Sequence, residues 1–372
     1  MPRANASRPS AFHAWADIGS GDCHGYFRQV FDARGRRTGH AVGVGHYGAV
    51  LTDLLLAPRL ADPSEYFDYV SVFDFRHDYW STSEVISAVF RFLRPWFWLP
   101  AVAVMSAGHF SGLGQIGFSA NWFLALLLLG PGLCAFAETL NDLCDQEFDS
   151  KSGPKKFLGL SVSGGSGVPQ GGRIPAFHMT LIMLLCGALS LLTALALPSP
   201  ILLLTAIAIA LAYSYSKPPL RLKEHGALGV VAHVLGYGPI SYFIGYFATG
   251  SVIDAVPLSA YVEALLLGLW VWMIGMTADM SDFDDDRRLG IRTLVVRLGL
   301  NASIFMVVAT AWLLFILKLF AVGQIGSARI LQFFFGVGLF VYSICLLRVS
   351  RRKFPAWLHF CTLILECWYP FL

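Results

Sequence analysis

Residues 121–149 read NWFLALLLLGPGLCAFAETLNDLCDQEFD. An apolar run of about 20 residues, the length a helix needs to cross about 30 Å of hydrocarbon, passes without a break into Asn141, Asp142, Asp145 and Asp149. This stretch decides the fold class: a membrane-spanning helix with acids at one end. Outward from it, the same pattern recurs. Apolar runs cover 95–117, 121–140, 176–197, 199–216, 228–250, 258–278, 301–322, 329–348 and 355–371. The expectation is an all-α polytopic membrane protein, a bundle of nine transmembrane helices.

Composition points the same way. The 372 residues are 56% hydrophobic and 14% charged, against roughly 45–50% and about 25% in soluble domains, and the mean hydropathy is +0.60. That excludes an ordinary cytosolic enzyme and a disordered chain. The formal net charge of +3 gives no support to a nucleic-acid partner. The seven cysteines are scattered without a paired framework and read as free thiols.

Residues 1–90 hold no apolar run of spanning length and are expected to form an N-terminal cytosolic extension of unknown role. Residues 1–30 lack the apolar stretch of a secretory signal. His13, His24, His40, His46 and His77 show no metal-ligand spacing. Residues 91–372 are expected to form the membrane domain.

The loops alternate in charge. Those after the second, fourth, sixth and eighth runs carry Lys151, Lys155, Lys156 and Arg173; Lys217, Arg221 and Lys223; Arg287, Arg288, Arg292 and Arg297; Arg348, Arg351, Arg352 and Lys353. The intervening loops are short and nearly uncharged. The positive-inside rule puts the N-terminus and the basic loops in the cytoplasm, and nine spans put Leu372 on the other side.

The sixth run ends in Asp279-Met-Ser-Asp282-Phe-Asp-Asp-Asp286. Both acid segments contain DxxDxxxD. On a helix Asn141, Asp145 and Asp149 fall at about 0°, 40° and 80°, one stripe, with Asp142 beside them. Asp282 and Asp286 are one turn apart, with Asp279 close by. Carboxylates sharing a stripe near a bilayer repel each other and resist desolvation. A divalent cation relieves both problems, and oxygen-only donors suit Mg²⁺. Glu147, Asp284 and Asp285 point off the stripes and read as solvated. On the same side, Tyr213-Ser-Tyr-Ser-Lys217-Pro-Pro-Leu-Arg221-Leu-Lys223 closes the fourth run, with Tyr213 and Lys217 on one face. This pair is either an interfacial aromatic with a snorkelling lysine or a set of donors for a metal-bound diphosphate.

Together, the nine runs, NDxxDxxxD, YxxxK and DxxDxxxD resemble the UbiA superfamily of intramembrane prenyltransferases over about residues 90–372. YSKPPLRLK and DDDRRLGIRTLVVRLG are also similar to the family's pattern. The resemblance implies a central chamber in which Mg²⁺ ions hold the diphosphate of an isoprenyl donor. By position, Asn141, Asp145 and Asp149 would hold one ion and Asp282 and Asp286 the other, assisted by Asp142 and Asp279. Lys217 and Arg94 would meet the diphosphate, and Tyr213 the reacting allylic carbon. Many relatives continue the first motif as NRPxRPIxSG. Here a longer Gly/Ser-rich loop follows, expected to be flexible, in which Lys155, Lys156 and Arg173 stand in for the usual basic residues. Trp270 and Trp272 are either packing residues or aromatic faces for a cation.

The implied activity is prenyl transfer from an isoprenyl diphosphate to a hydrophobic acceptor, aromatic or lipid-like, within the lipid bilayer. A membrane terpene cyclase would use the same site without an acceptor. A transporter would more readily show broken helices around a midplane site.

Overall fold

The computed structural model describes residues 82–169, 171, 174–321, 326–349 and 354–372. The chain divides between Asp78 and Tyr79, and every described residue lies in the second unit, Tyr79–Leu372. Most of the expected extension, its histidines and Arg173 therefore fall outside the described residues.

Helix α1 (Thr82–Leu93) begins ahead of the expected start of the domain and leads through a 3₁₀ turn at Pro95–Phe97 into α2 (Trp98–Leu113). Ser119 caps α3 (Ala120–Leu127), its hydroxyl accepting from the Trp122 N–H. A π-helical turn, Leu128–Cys134, joins α3 to α4 (Ala135–Cys144). The short α5 (Gln146–Ser152) and a hairpin of β1 (Lys155–Phe157) and β2 (Leu160–Ser163) follow. Then come α6 (Ala176–Leu195), α7 (Pro200–Ser216) and α8 (Ala227–Leu235). A second π-helical turn, Gly236–Ile240, leads into α9 (Ser241–Phe247). The chain ends with α10 (Leu258–Leu289), α11 (Leu294–Leu298), α12 (Leu300–Ala321), α13 (Gly326–Leu347) and α14 (Ala356–Trp368).

Among the described residues seven helical stretches are long and apolar enough to cross a membrane, and Pro200–Ser216 is an eighth, shorter apolar helix. Every expected run contains a helix, but the count of nine full spans is not reached. Pro200 and the Pro218-Pro219 pair bound α7, since proline lacks the N–H that would extend a helix. The last run yields 13 helical residues, roughly 20 Å.

Small residues set the packing. The α2 and α9 backbones touch: a Cβ on Gly108 would strike the Tyr242 carbonyl, and one on Gly245 the Met105 carbonyl. Both π-helical turns contain a proline, Pro131 and Pro239. Proline frees a carbonyl in the ladder, and the wider turn absorbs the defect. The main core runs through the bundle around Trp270, Tyr242, Phe335 and Tyr369. Helix α10 has 32 residues, about 48 Å, more than the hydrocarbon needs, so an end of it reaches beyond the membrane interior.

Candidate active site

A cavity of about 300 Å³ opens inside the bundle. Its polar end is built by the ends of α4 and α10, by α5, and by the segments after β2 and α7; its apolar walls include Ala101, Leu129, Leu133, Leu211 and Ile240. The two proline-containing π turns thus lie in its wall.

Asn141, Asp145 and Asp149 line the cavity from one side, and Asp279, Asp282 and Asp286 from the other. Asp145 breaks α4 from α5 at φ −99°, ψ 5°. The i→i+4 ladder nevertheless continues, Asp145 N–H to Asn141 O and Asp149 N–H to Asp145 O, both at 2.9 Å, so the stripe survives the break. Asp145 and Asp149 are 8% and 9% exposed. Burial, then the nearby Asp145, pushes the Asp149 carboxyl up to about 7, and its Oδ2 is buried without a hydrogen-bond partner among the described residues.

Asp142 faces elsewhere. It is fully buried and pairs with Arg94, while its Oδ2 accepts from the Ser166 N–H at 3.0 Å. Arg94 is a wall residue whose Nη1 lies 3.3 Å from Glu138 Oε2. The Tyr237 hydroxyl donates to the other Glu138 oxygen at 3.3 Å. Asp142 therefore anchors an arginine and a loop instead of standing among the cavity acids.

The basic residues are where the structure departs most from expectation. Tyr213 is 51% exposed and Lys217 is exposed; neither lines the cavity. Tyr213 and Lys217 do share a face, but the rotation of α7 turns it outward. Tyr215 and Ser216 line the cavity in their place, with Arg221 and Lys223 beyond the prolines. Arg221 Nη2 binds Asp145 Oδ1 at 2.7 Å, and its guanidinium lies 4.8 Å from the Phe148 ring. Lys223 binds Asp145 Oδ2 and, at 2.8 Å, Asn141 Oδ1. The spacing rule that paired Tyr213 with Lys217 carried no information about which face meets the bundle.

The loop expected to be flexible forms a hairpin and turns over its described residues up to 169. Leu158 and Gly159 adopt φ +51° and +80°, the turn that closes a two-residue hairpin, and β1 pairs with β2. The Trp96 indole N–H holds the Ser161 carbonyl at 2.9 Å. The pairing is irregular between Lys155 and Lys156, and the two lysines take different surroundings. Lys155 reaches Asp282 and, at 2.9 Å, Asp285; Lys156 is exposed. Burial draws the Lys155 pKa down, but the two carboxylates outweigh it and raise it. Asp285, read as solvated, thus sits in the cavity wall. Glu147 pairs at 2.8 Å with Lys151 on the surface, and Asp284 is exposed. Gly164 and Gly165 line the cavity beside the acids; Gly165 has φ +73°, and a Cβ there would strike Asp149 Oδ2. Trp270 and Trp272 are buried in the core, outside the cavity wall.

No three acid, histidine or cysteine side chains among the described residues form a ready-made metal cage. The donor set still fits Mg²⁺. Its donor atoms are oxygens, they line one cavity from two helix ends, and Asp149 Oδ2 has no partner among the described residues. Mg²⁺ needs only one or two carboxylates when phosphate and water complete its shell. The site therefore suits a Mg²⁺–diphosphate better than a bare ion.

The model of the UbiA prenyltransferase family matches residues 95–364. A lycopene elongase/hydratase of Haloarcula japonica is 31% identical over 62% of this chain and 73% of its own length. The bacteriochlorophyll synthase 33 kDa chain of Cereibacter sphaeroides is 28% identical over 72% of this chain and 85% of its own. A UbiA homologue from Archaeoglobus fulgidus, solved with GPP and Mg²⁺, shares the fold at a TM-score of 0.57 and 22% identity, over 76% of this chain and 98% of that one. The chain belongs to the UbiA prenyltransferase family.

Proposed function

We propose that this member of the UbiA prenyltransferase family transfers an isoprenyl group from an isoprenyl diphosphate to a hydrophobic acceptor inside the membrane. The observation that carries the reading is one cavity with oxygen donors from two helix ends at its mouth and apolar walls behind them. The GPP and Mg²⁺ named for the A. fulgidus homologue support the donor and the metal. The elongase among the relatives describes lengthening of a separate isoprenoid, which favours transfer over cyclisation.

In this reading Asn141, Asp145 and Asp149, with Asp279, Asp282 and Asp286, hold Mg²⁺ against the diphosphate. A Mg²⁺ held by these residues would supply positive charge to the departing diphosphate. Lys155, Arg221 and Lys223 supply charge-assisted hydrogen bonds to the phosphate oxygens. Lys217, Lys156 and Tyr213 take no part at the centre. Tyr215 offers its ring to the allylic carbon. Arg94, clamped by Glu138 and Asp142, shapes the wall and adds positive potential. The apolar walls keep water from the electron-poor carbon. The basic residues Lys151, Lys155, Arg221, Lys223, Arg287 and Arg288 lie around this end of the helices, which supports a cytoplasmic mouth.

The test is incubation of purified protein in lipid nanodiscs with geranyl, farnesyl or geranylgeranyl diphosphate, Mg²⁺ and a membrane lipid extract. A prenylated product that needs both extract and metal is expected. A cyclic hydrocarbon formed without extract would overturn transfer.

A further inference from the structure

We propose that His359 is the proton acceptor of this cavity, the group that meets the acceptor molecule on the side away from the diphosphate. The inference rests on the transfer reading and names the class of acceptor: a nucleophile that loses a proton when it is prenylated.

His359 projects from α14, is 1% exposed and lines the cavity. Its ring lies 5.9 Å from that of Phe97, another wall residue. Its Nδ1 is 2.7 Å from the Thr277 hydroxyl oxygen, and that hydroxyl donates to the Ile274 carbonyl at 3.1 Å. A hydroxyl has one proton. In the proposed arrangement that proton goes to Ile274, the oxygen offers His359 only lone pairs, and Nδ1 carries the ring proton. A neutral imidazole has one N–H, which leaves Nε2 with a free lone pair. Nε2 is buried without a hydrogen-bond partner among the described residues. A buried polar atom left unpaired in an apolar wall is costly, and a substrate proton satisfies it.

The position suits the role. Thr277 precedes Asp279 by two residues, Asp282 by five and Asp286 by nine on α10, about 3, 7.5 and 13.5 Å along the helix axis, so His359 stands on the inner side of the acid motif. On transfer the bond from the prenyl carbon to the diphosphate oxygen breaks, and its electron pair leaves with the diphosphate. A bond forms from that carbon to the acceptor atom, and the proton on that atom passes to Nε2. Thr277 keeps hold of Nδ1–H throughout, so the imidazolium is steadied from behind. A carboxylate acceptor, having no proton to give, would not need this group.

The experiment measures diphosphate release and prenylated product separately, in nanodiscs with geranylgeranyl diphosphate, Mg²⁺ and a membrane lipid extract. In His359→Gln, product is expected to fall about 10²-fold or more while diphosphate release persists, water taking the prenyl carbon. Added imidazole should restore product in His359→Ala, which a packing role would not allow. His233 also lines the cavity with a buried Nε2 that has no partner among the described residues; product and release falling in parallel, no fall at all, or the split appearing in His233→Gln instead, would each overturn the assignment. A second readout needs no turnover: nitrogen-15 spectra of histidine-labelled protein should show His359 with Nδ1 protonated and Nε2 bare. The opposite tautomer overturns the inference. If the wild type releases no diphosphate from any donor, the transfer reading falls, and the tautomer still decides whether His359 presents a base.

Discussion

Lys223 reaches from the segment after α7 to Asn141 on α4, Nζ to Oδ1 at 2.8 Å, and binds Asp145 as well. An ammonium group therefore lies among the oxygens of the first acid motif. Lys155 does the same at the second, through Asp282 and Asp285. Each motif is paired with a lysine from a different stretch of chain, Lys223 in the wall of the cavity and Lys155 on β1.

Lys223→Met should raise the KM for the isoprenyl diphosphate and lower kcat/KM by about 10- to 100-fold, the scale of one or two charge-assisted contacts. Lys217→Met, at an exposed position, should stay within about threefold of wild type, because exposed charges contribute little. Steady-state kinetics on nanodisc-embedded protein check both. Equal losses would mean that the loop after α7 is turned differently.

Tyr215→Ala should cost about 10²-fold in product formation, whereas Tyr213→Ala should be near wild type. The first removes a ring from the cavity wall, and the second a ring from the outer surface. The pair separates a residue beside the reacting carbon from an interfacial aromatic.

Turnover should stop on exhaustive chelation and return with Mg²⁺. Asp145→Ala and Asp282→Ala should each cost more than about 10²–10³-fold, the usual loss for one transition-state charge contact. Glu147→Ala, whose carboxylate pairs with Lys151 on the surface, should be mild. Product formation and membrane insertion should be followed together, so that misfolding is not mistaken for lost chemistry.

Gly165→Ala should impair both stability and turnover. The backbone there has φ +73° and the new methyl group would strike Asp149 Oδ2. The backbone strain alone is of order 1–3 kcal/mol, and displacing Asp149 adds a loss of metal affinity. A thermal melt in detergent and a Mg²⁺ titration of activity measure the two effects.

Arg94→Ala should destabilise the protein by about 3–5 kcal/mol, because it strands the buried Asp142 carboxylate. The double variant Arg94→Ala/Asp142→Ala should lose less than the sum of the two single changes, since the groups are in contact. Thermal melts of the four proteins complete the cycle.

What the sequence by itself determined is local along the chain. The apolar runs, the acids at their ends, and the stripe formed by Asn141, Asp145 and Asp149 all follow from helix periodicity, which acts over one or two turns. The family resemblance rests on those same short motifs. What only the tertiary structure decided is orientation about an axis and contact across the bundle. The rotation of α7 chose Tyr215 over Tyr213, and the course of the chain after Pro219 chose Arg221 and Lys223 over Lys217. The pairing of β1 with β2 turned Lys155 inward and Lys156 outward. Asp142 was drawn off to Arg94, which precedes the 3₁₀ turn at Pro95–Phe97, and Thr277 met His359 across the α10–α14 contact. Periodicity says which residues share a face; only packing against neighbours distant in sequence says where that face points.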